Sequence, residues 1–247
     1  MKRRQDRAAL LGLLAGSCLL AATLPATWTA AAINTACADR CRLAAPTGRW
    51  WRGTAELYVK SSATERWLHL GPVAWRPAWL HGPGIAARLD RGEGAIHWTG
   101  HQLVVTLRAV TVPADLVLTQ PVLRLPRTGW GGAITIDSLQ LNWTPQGHAA
   151  DGAVRWTRAA TAALDDLPLG AFSARFVARD GHATITLAGA PGNALDARLE
   201  LAVAAAGRLT AQGTVTATGE AATRLAPVLS TFALPEGATG RYRIDFR

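Results

Sequence analysis

His97 and His101, four residues apart, are the nearest approach in this chain to a metal-ligand spacing. On a helix that spacing puts both imidazoles on one face, where they can hold zinc. Here Trp98 and Gly100 lie between them in an alternating stretch that reads as a strand, so the rings would stand well apart, and no glutamate intervenes. Asp165 and Asp166 pair two carboxylates, the arrangement acid–base chemistry needs. They sit in Leu164-Asp-Asp-Leu-Pro-Leu-Gly170, a loop ahead of a strand, where capping or turn formation is the ordinary role of aspartate. Cys37 and Cys41 are also four apart, a spacing at which a turn or helical backbone brings Cα atoms to about 6 Å and leaves a disulfide open. Two thiols alone do not make a zinc site, and no histidine follows them as haem attachment requires. Cys18, in Leu14-Ala-Gly-Ser-Cys18, faintly resembles a lipoprotein processing site, but the apolar run continues past it and a buried membrane thiol is the better reading. There is no Gly-x-Ser-x-Gly elbow and no glycine loop for phosphate ahead of a helix. The chain reads as a non-enzyme with no cofactor, no catalytic residue and no metal site.

The elements that would carry these residues are strands. Glycine heads a short alternating stretch in Gly94-Ala-Ile-His-Trp98, Gly132-Ala-Ile-Thr-Ile136, Gly152-Ala-Val-Arg-Trp156, Gly213-Thr-Val-Thr-Ala217 and Gly240-Arg-Tyr-Arg-Ile244. Period-two alternation puts apolar side chains on one face only. Leu103 to Val110, Ala183 to Leu187 and Ala197 to Val203 alternate likewise. In the last stretch Tyr242, Ile244 and Phe246 are expected to share the core face. Helix signals are sparse: Ala221 to Phe232 would hold one short helix interrupted by Pro227, and Trp75-Arg-Pro-Ala-Trp79 reads as a turn or a single helical turn.

The two halves echo each other. Val73-Ala-Trp75-Arg-Pro77 followed by Gly94 to Trp98 corresponds to Leu141-Asn-Trp143-Thr-Pro145 followed by Gly152 to Trp156, which suggests tandem β units. The expected organisation is a basic cytoplasmic stub over 1–7, a transmembrane anchor over 8–32, and two β units over 33–125 and 126–247. The expected fold class is mainly β: an N-terminal transmembrane helix followed by a periplasmic domain of antiparallel, curved or extended sheet.

Placement follows from the N-terminus. Four cationic side chains precede an uncharged run from Ala8 that continues past Pro25 to Cys37. Ala8 to Leu24 alone spans roughly 25 Å as a helix, and the continuation lets the run cross a hydrocarbon core of about 30 Å. Flanking positive charge keeps the N-terminus cytoplasmic and sends the bulk of the chain to the periplasm. We read an uncleaved inner-membrane anchor with a single span, while Ala30-Ala31-Ala32 leaves cleavage by a signal peptidase open.

The 247 residues carry a net charge of +9. Beyond the N-terminus the basic residues are almost all scattered arginines, with no basic run and no aromatic recognition motif, so nucleic acid is excluded as a partner. A basic periplasmic domain suits anionic headgroups or an acidic partner instead. Ten tryptophans outnumber four phenylalanines and two tyrosines, an unusual balance concentrated in the first half. They either fill a core otherwise made of Ala, Val and Leu or line a binding groove.

Several segments in order resemble one family. Gly48-Arg-Trp-Trp-Arg-Gly53 looks like its glycine-aromatic opening element, and Leu70-Gly-Pro-Val-Ala-Trp75-Arg-Pro-Ala-Trp-Leu80 like its next segment. Leu125-Pro126 then leads into Gly131 to Ile136, followed by Gly152 to Trp156, Leu167-Pro-Leu-Gly170 and the closing Leu225 to Phe246. With the basic start and single span, the chain resembles type II secretion system protein N, of the general secretion pathway protein N family. Cys37 and Cys41 are additions to that pattern. The resemblance implies a non-enzymatic subunit with the secretin and the inner-membrane assembly platform as partners, and we place a partner contact at Trp50 and Trp51. The chain also resembles AsmA-like envelope proteins, which hold lipid in an apolar groove. In that case Ile96, Trp98, Val105, Leu107, Ile134, Ile136 and Trp156 would line an acyl-chain channel.

Overall fold

The computed structural model describes residues 22–61, 65–79, 82–119, 129–162, 165–204, 208–231, 233–237 and 240–246. The alternating stretches form β1 (Cys41–Arg49), β2 (Arg52–Lys60), β3 (Trp67–Ala78), β4 (Gly84–Leu89), β5 (Gly92–Thr99), β6 (Gln102–Pro113), β7 (Trp130–Thr144), β8 (Gly147–Thr161), β9 (Gly170–Arg179), β10 (His182–Gly189), β11 (Leu195–Val203), β12 (Leu209–Ala217), β13 (Leu234–Pro235) and β14 (Arg241–Phe246). Three helices accompany them: α1 (Ala26–Ala36), α2 (Ala114–Leu118) and α3 (Glu220–Leu229). All the strands join one open antiparallel sheet in chain order, except that β14 lies between β12 and β13. A 14-stranded sheet at about 4.8 Å per strand is about 65 Å wide.

Register decides which side chains share a face. Directly opposed residues point the same way, and one apolar row runs Ala55↔Val73↔Leu89, then Ile85↔Ile96↔Val105↔Leu141. Farther along, Ile134↔Trp156↔Phe172 and Leu187↔Leu199↔Gly213↔Ile244 continue on the same face. The opposite face carries Thr186, Glu200, Gln212 and Arg243. Such a sheet must cover its apolar face, and it does so with helices at three places. Ala26 and Ala30 of α1 pack on Leu43, Ala55, Val73 and Trp75. Leu225 and Leu229 of α3 pack with Phe172, Val215, Tyr242 and Ile244 in a larger cluster. Between them α2 lies against β6 and β7, and Ser61 donates its hydroxyl to Asp115 Oδ2 at 2.8 Å, tying the end of β2 to α2.

Several expectations are corrected. The glycines do not open the strands: only Gly240 stands ahead of its strand, while Gly94, Gly132, Gly152 and Gly213 lie inside β5, β7, β8 and β12. The reason at Gly152 is space, because a Cβ there would fall 2.8 Å from Cζ of the Phe176 ring. At Gly132 the reason is conformation as well, with φ +89° at a bulge where β8 supplies an extra residue. The segment Trp75 to Ala78 is not a turn but the end of β3. Pairing with β2 stops at Trp75, so Pro77 has no ladder bond to donate on that side and is tolerated opposite Ile85. Helix α3 continues through Pro227, which lies in its last turn. Tyr242, Ile244 and Phe246 do share a face, yet only Tyr242 and Ile244 are buried, because α3 covers one end of the strands and Phe246 lies at the other.

The basic stub 1–7, Cys18 and most of the expected anchor lie outside the described residues. From Ala26 on, the segment expected to span belongs to α1, N-capped by Pro25 and packed on the sheet. Among the described residues no helix is long and apolar enough to cross a membrane. The expected division at 125/126 falls between α2 and β7, outside the described residues, and β6 pairs directly with β7 across it.

Candidate functional site

An antiparallel meander places its turns alternately at two rims. The β1–β2 turn, the end of β3 and the β5–β6, β7–β8, β9–β10 and β11–β12 turns share one rim, while α2, α3 and the Cys37–Cys41 segment lie towards the other. Because α2 and α3 cover only their own side, the apolar face is bare along the first rim beyond the strands that α1 covers. There Trp98↔Leu103↔Trp143↔His148 form a row, with Trp143 69% and Trp98 51% exposed. The next row holds Ile85, Ile96, Val105 and Leu141. Farther along, Gly213 leaves a gap in the apolar carpet between Leu199 and Ile244, an open groove of about 590 Å³. This uncovered apolar strip offers shape and surface, not reacting groups.

The tryptophans divide between the two expected roles. Trp75 is core, 6% exposed, and its indole N–H donates to the Trp50 carbonyl at 2.9 Å. Trp156 does the same with the Gly131 carbonyl at 2.9 Å and packs edge-on against Trp130, ring centroids 5.8 Å apart. Trp75 therefore resembles Trp156 in environment, although the sequence echo aligned it with Trp143, which is exposed. Sequence reasoning missed Trp79, 72% exposed, and Trp28, 63% exposed. Trp98 and Trp143 stand two residues ahead of the turn residues Gly100 and Pro145, a local signal that Trp79 lacks.

Trp50 and Trp51 occupy the β1–β2 turn and hold the chain that enters α1. Trp50 N–H donates to the Leu24 carbonyl at 3.0 Å, and the Trp51 indole donates to the Ala22 carbonyl at 3.1 Å. The Trp50 carbonyl also accepts the Thr29 hydroxyl at 2.8 Å. The Arg49 guanidinium lies 5.9 Å from the Trp51 ring. At the other end of α1, Cys37 and Cys41 are joined, with Cα atoms 5.4 Å apart.

The β1 edge is covered by α1. The Asn34 side chain accepts from Leu43 N–H at 2.7 Å and donates to its carbonyl at 3.3 Å, so an amide takes the place a neighbouring strand would fill. The rule is familiar: edges are protected from unwanted pairing. His97 lies in β5 and His101 in the following turn. Among the described residues no group of three or more His, Cys, Asp or Glu side chains is placed to hold a metal ion. Asp165 bonds Arg224 of α3 at 3.3 Å, and Arg224 also reaches Glu220 at 2.7 Å, so this aspartate docks a helix on the sheet.

Residues 39–245 match the family model described as type II secretion system (T2SS), protein N. No curated protein and no solved structure matches the chain.

Proposed function

Since the chain belongs to the type II secretion system protein N family, we propose that it serves the secretion machinery as a non-enzymatic, single-pass subunit of the inner membrane, its bulk in the periplasm, touching the secretin and the assembly platform. The observation that carries this reading is the family match across 39–245, essentially the whole sheet. The physical character of the sheet supports it, since an uncovered apolar strip with exposed tryptophans is a surface for partners. In this reading the span ends by Pro25, where α1 begins, and 33–125 and 126–247 act as two β units of one continuous sheet. Trp50 and Trp51, which hydrogen-bond the chain at Leu24 and Ala22, are the first candidates for a platform contact.

The test is a crosslinking pull-down of the full chain from intact envelopes, with proteins and lipids identified in the same sample. Recovery of secretin and platform subunits is expected. Their absence, with phospholipid recovered instead, would transfer the protein to a second reading: an AsmA-like lipid-binding protein. A specific observation favours keeping that reading in view. Ile96, Trp98, Val105, Leu107, Ile134, Ile136 and Trp156 stand on one face, and Ile96 and Trp98 are about half exposed there, while Ile134 is buried and Trp156 packs against the cluster under α3.

A periplasmic location also makes the Cys37–Cys41 bridge stable in the cell. Cys41→Ser is expected to lower stability by about 2 kcal/mol, because so short a loop removes little chain entropy when closed. Urea unfolding of the oxidised chain with and without reductant would read the same difference, and an unchanged midpoint would remove any structural role for the bridge.

A further inference from the structure

The chain entering α1, most of the exposed tryptophans and several exposed arginines meet at one rim. That rim is where Leu24 and Ala22 are held by Trp50 and Trp51, so any apolar segment before Ala22 leaves the domain there. Exposed apolar bulk collects on the same side: Trp28, Trp79, Trp98, Trp143, Leu209 and Phe246 all lie along it. Of the large exposed apolar residues among those described, only Ile33, Trp67 and Leu234 lie at the opposite rim. The tryptophans are confined to α1 and the β1–β8 part of the sheet. Adjacent strands rotate by about 20–25°, so tips on neighbouring strands share a tangent plane and tips across the whole sheet do not.

Arg49, Arg52 and Arg179 stand at the tryptophan rim, none of them in an ion pair among the described residues. His101, His148 and His182 stand beside them. Carboxylates stand at both rims: Asp180 and Asp245 at this one, and Asp90, Asp165, Glu220 and Glu236 at the other, where they pair with Arg91, Arg224 and Arg241. The result is a molecule with exposed tryptophans and unpaired arginines along one edge, roughly 50 Å from the opposite edge along the 15 residues of β7.

The geometry points to this rim as a docking edge for an anionic phospholipid bilayer, the one entered by the chain ahead of Ala22. Indole is the side chain suited to that boundary, with an apolar body for the acyl region and an N–H for the headgroups. Exposed arginines add attraction to anionic headgroups. Docked this way the strands stand away from the membrane and present the opposite rim to the periplasm. The inference rests on the anchored reading only for which membrane is meant.

The test uses the full chain in phosphatidylglycerol-rich vesicles, in phosphatidylcholine vesicles and in detergent micelles, with amide hydrogen exchange as the readout. In the anionic vesicles the turns 98–102 and 143–148 are expected to exchange at least about tenfold more slowly than in micelles, with smaller protection in phosphatidylcholine. Replacing the exposed side chains together, Trp79→Ser, Trp98→Ser and Trp143→Ser, should abolish that protection while the buried strands keep theirs, which shows that the variant is folded. Equal exchange in vesicles and micelles overturns the docking edge. So does protection that appears only when secretion subunits are added, since the rim would then be a protein contact. Resistance to carbonate extraction, measured on the same samples, reads the anchor separately, so loss of the anchored reading is distinguishable from loss of the docking edge.

Discussion

Trp75→Ala is expected to destabilise the N-terminal part of the sheet by about 3–5 kcal/mol, the range for removing a buried aromatic side chain. The ring is 6% exposed and does three things at once. It fills the small cluster formed by Ala26, Ala30, Leu43, Ala55 and Val73, in which no other residue is as large. It lies over Gly53, where a Cβ would come 2.6 Å from its Cζ2. Its N–H satisfies the Trp50 carbonyl, which anchors the turn that holds the entry to α1. Removing the ring leaves a cavity that alanines cannot collapse into. It also leaves a carbonyl with one partner fewer. Because this cluster shares no residue with the one under α3, the loss should stay local. Hydrogen exchange would show α1 and β1–β3 losing protection while β9–β14 keep theirs. Uniform loss of protection across the sheet would mean that the two clusters unfold as one unit. Gly53→Ala should act through the same contact with a smaller effect, about 1–3 kcal/mol, by overpacking against the ring and the Thr47 carbonyl.

Gly132→Val is expected to cost about 3 kcal/mol or more and to disrupt the β7–β8 ladder. Its φ of +89° lies where a β-branched residue is strained, which alone costs about 1–3 kcal/mol. A Cβ at this position would also stand 2.3 Å from the Thr157 carbonyl oxygen and 2.4 Å from that of Arg158. Both are backbone atoms fixed by the bulge, so neither can swing away. The two contributions separate by comparison with Gly192→Ala, where φ is +83° and nothing lies within 4 Å of the added carbon. That control should lose only the backbone part. If the two variants melt together, the bulge relaxes around the side chain and the steric argument fails.

Asp165 and the histidines looked like reactive candidates because sequence shows residue type before environment. Asp165 meets Arg224, a contact spanning 59 positions, and that pairing turns a candidate acid into a docking point for α3. His97 and His101, four apart, lie one in a strand and one in a turn, and strand spacing carries such residues apart where helix spacing would bring them together.

The sequence by itself determined the class. Alternation marked an antiparallel β protein, the closing strand was legible to the residue, and the ordered motifs from Gly48 to Phe246 resembled the family whose model the chain matches. These are local properties, carried by period and by short spacing. Tertiary structure decided what no local pattern carries: which part of an apolar face a helix covers, and which tryptophan of two similar motifs is core. Trp75 and Trp143 stand in near-identical local sequence, each followed two residues on by proline. One lies beneath α1 and the other at a rim beyond the reach of α2 and α3. Burial is set by where distant segments return to the sheet, and the free energy that separates a core tryptophan from a surface one comes from those segments, not from the residues beside it.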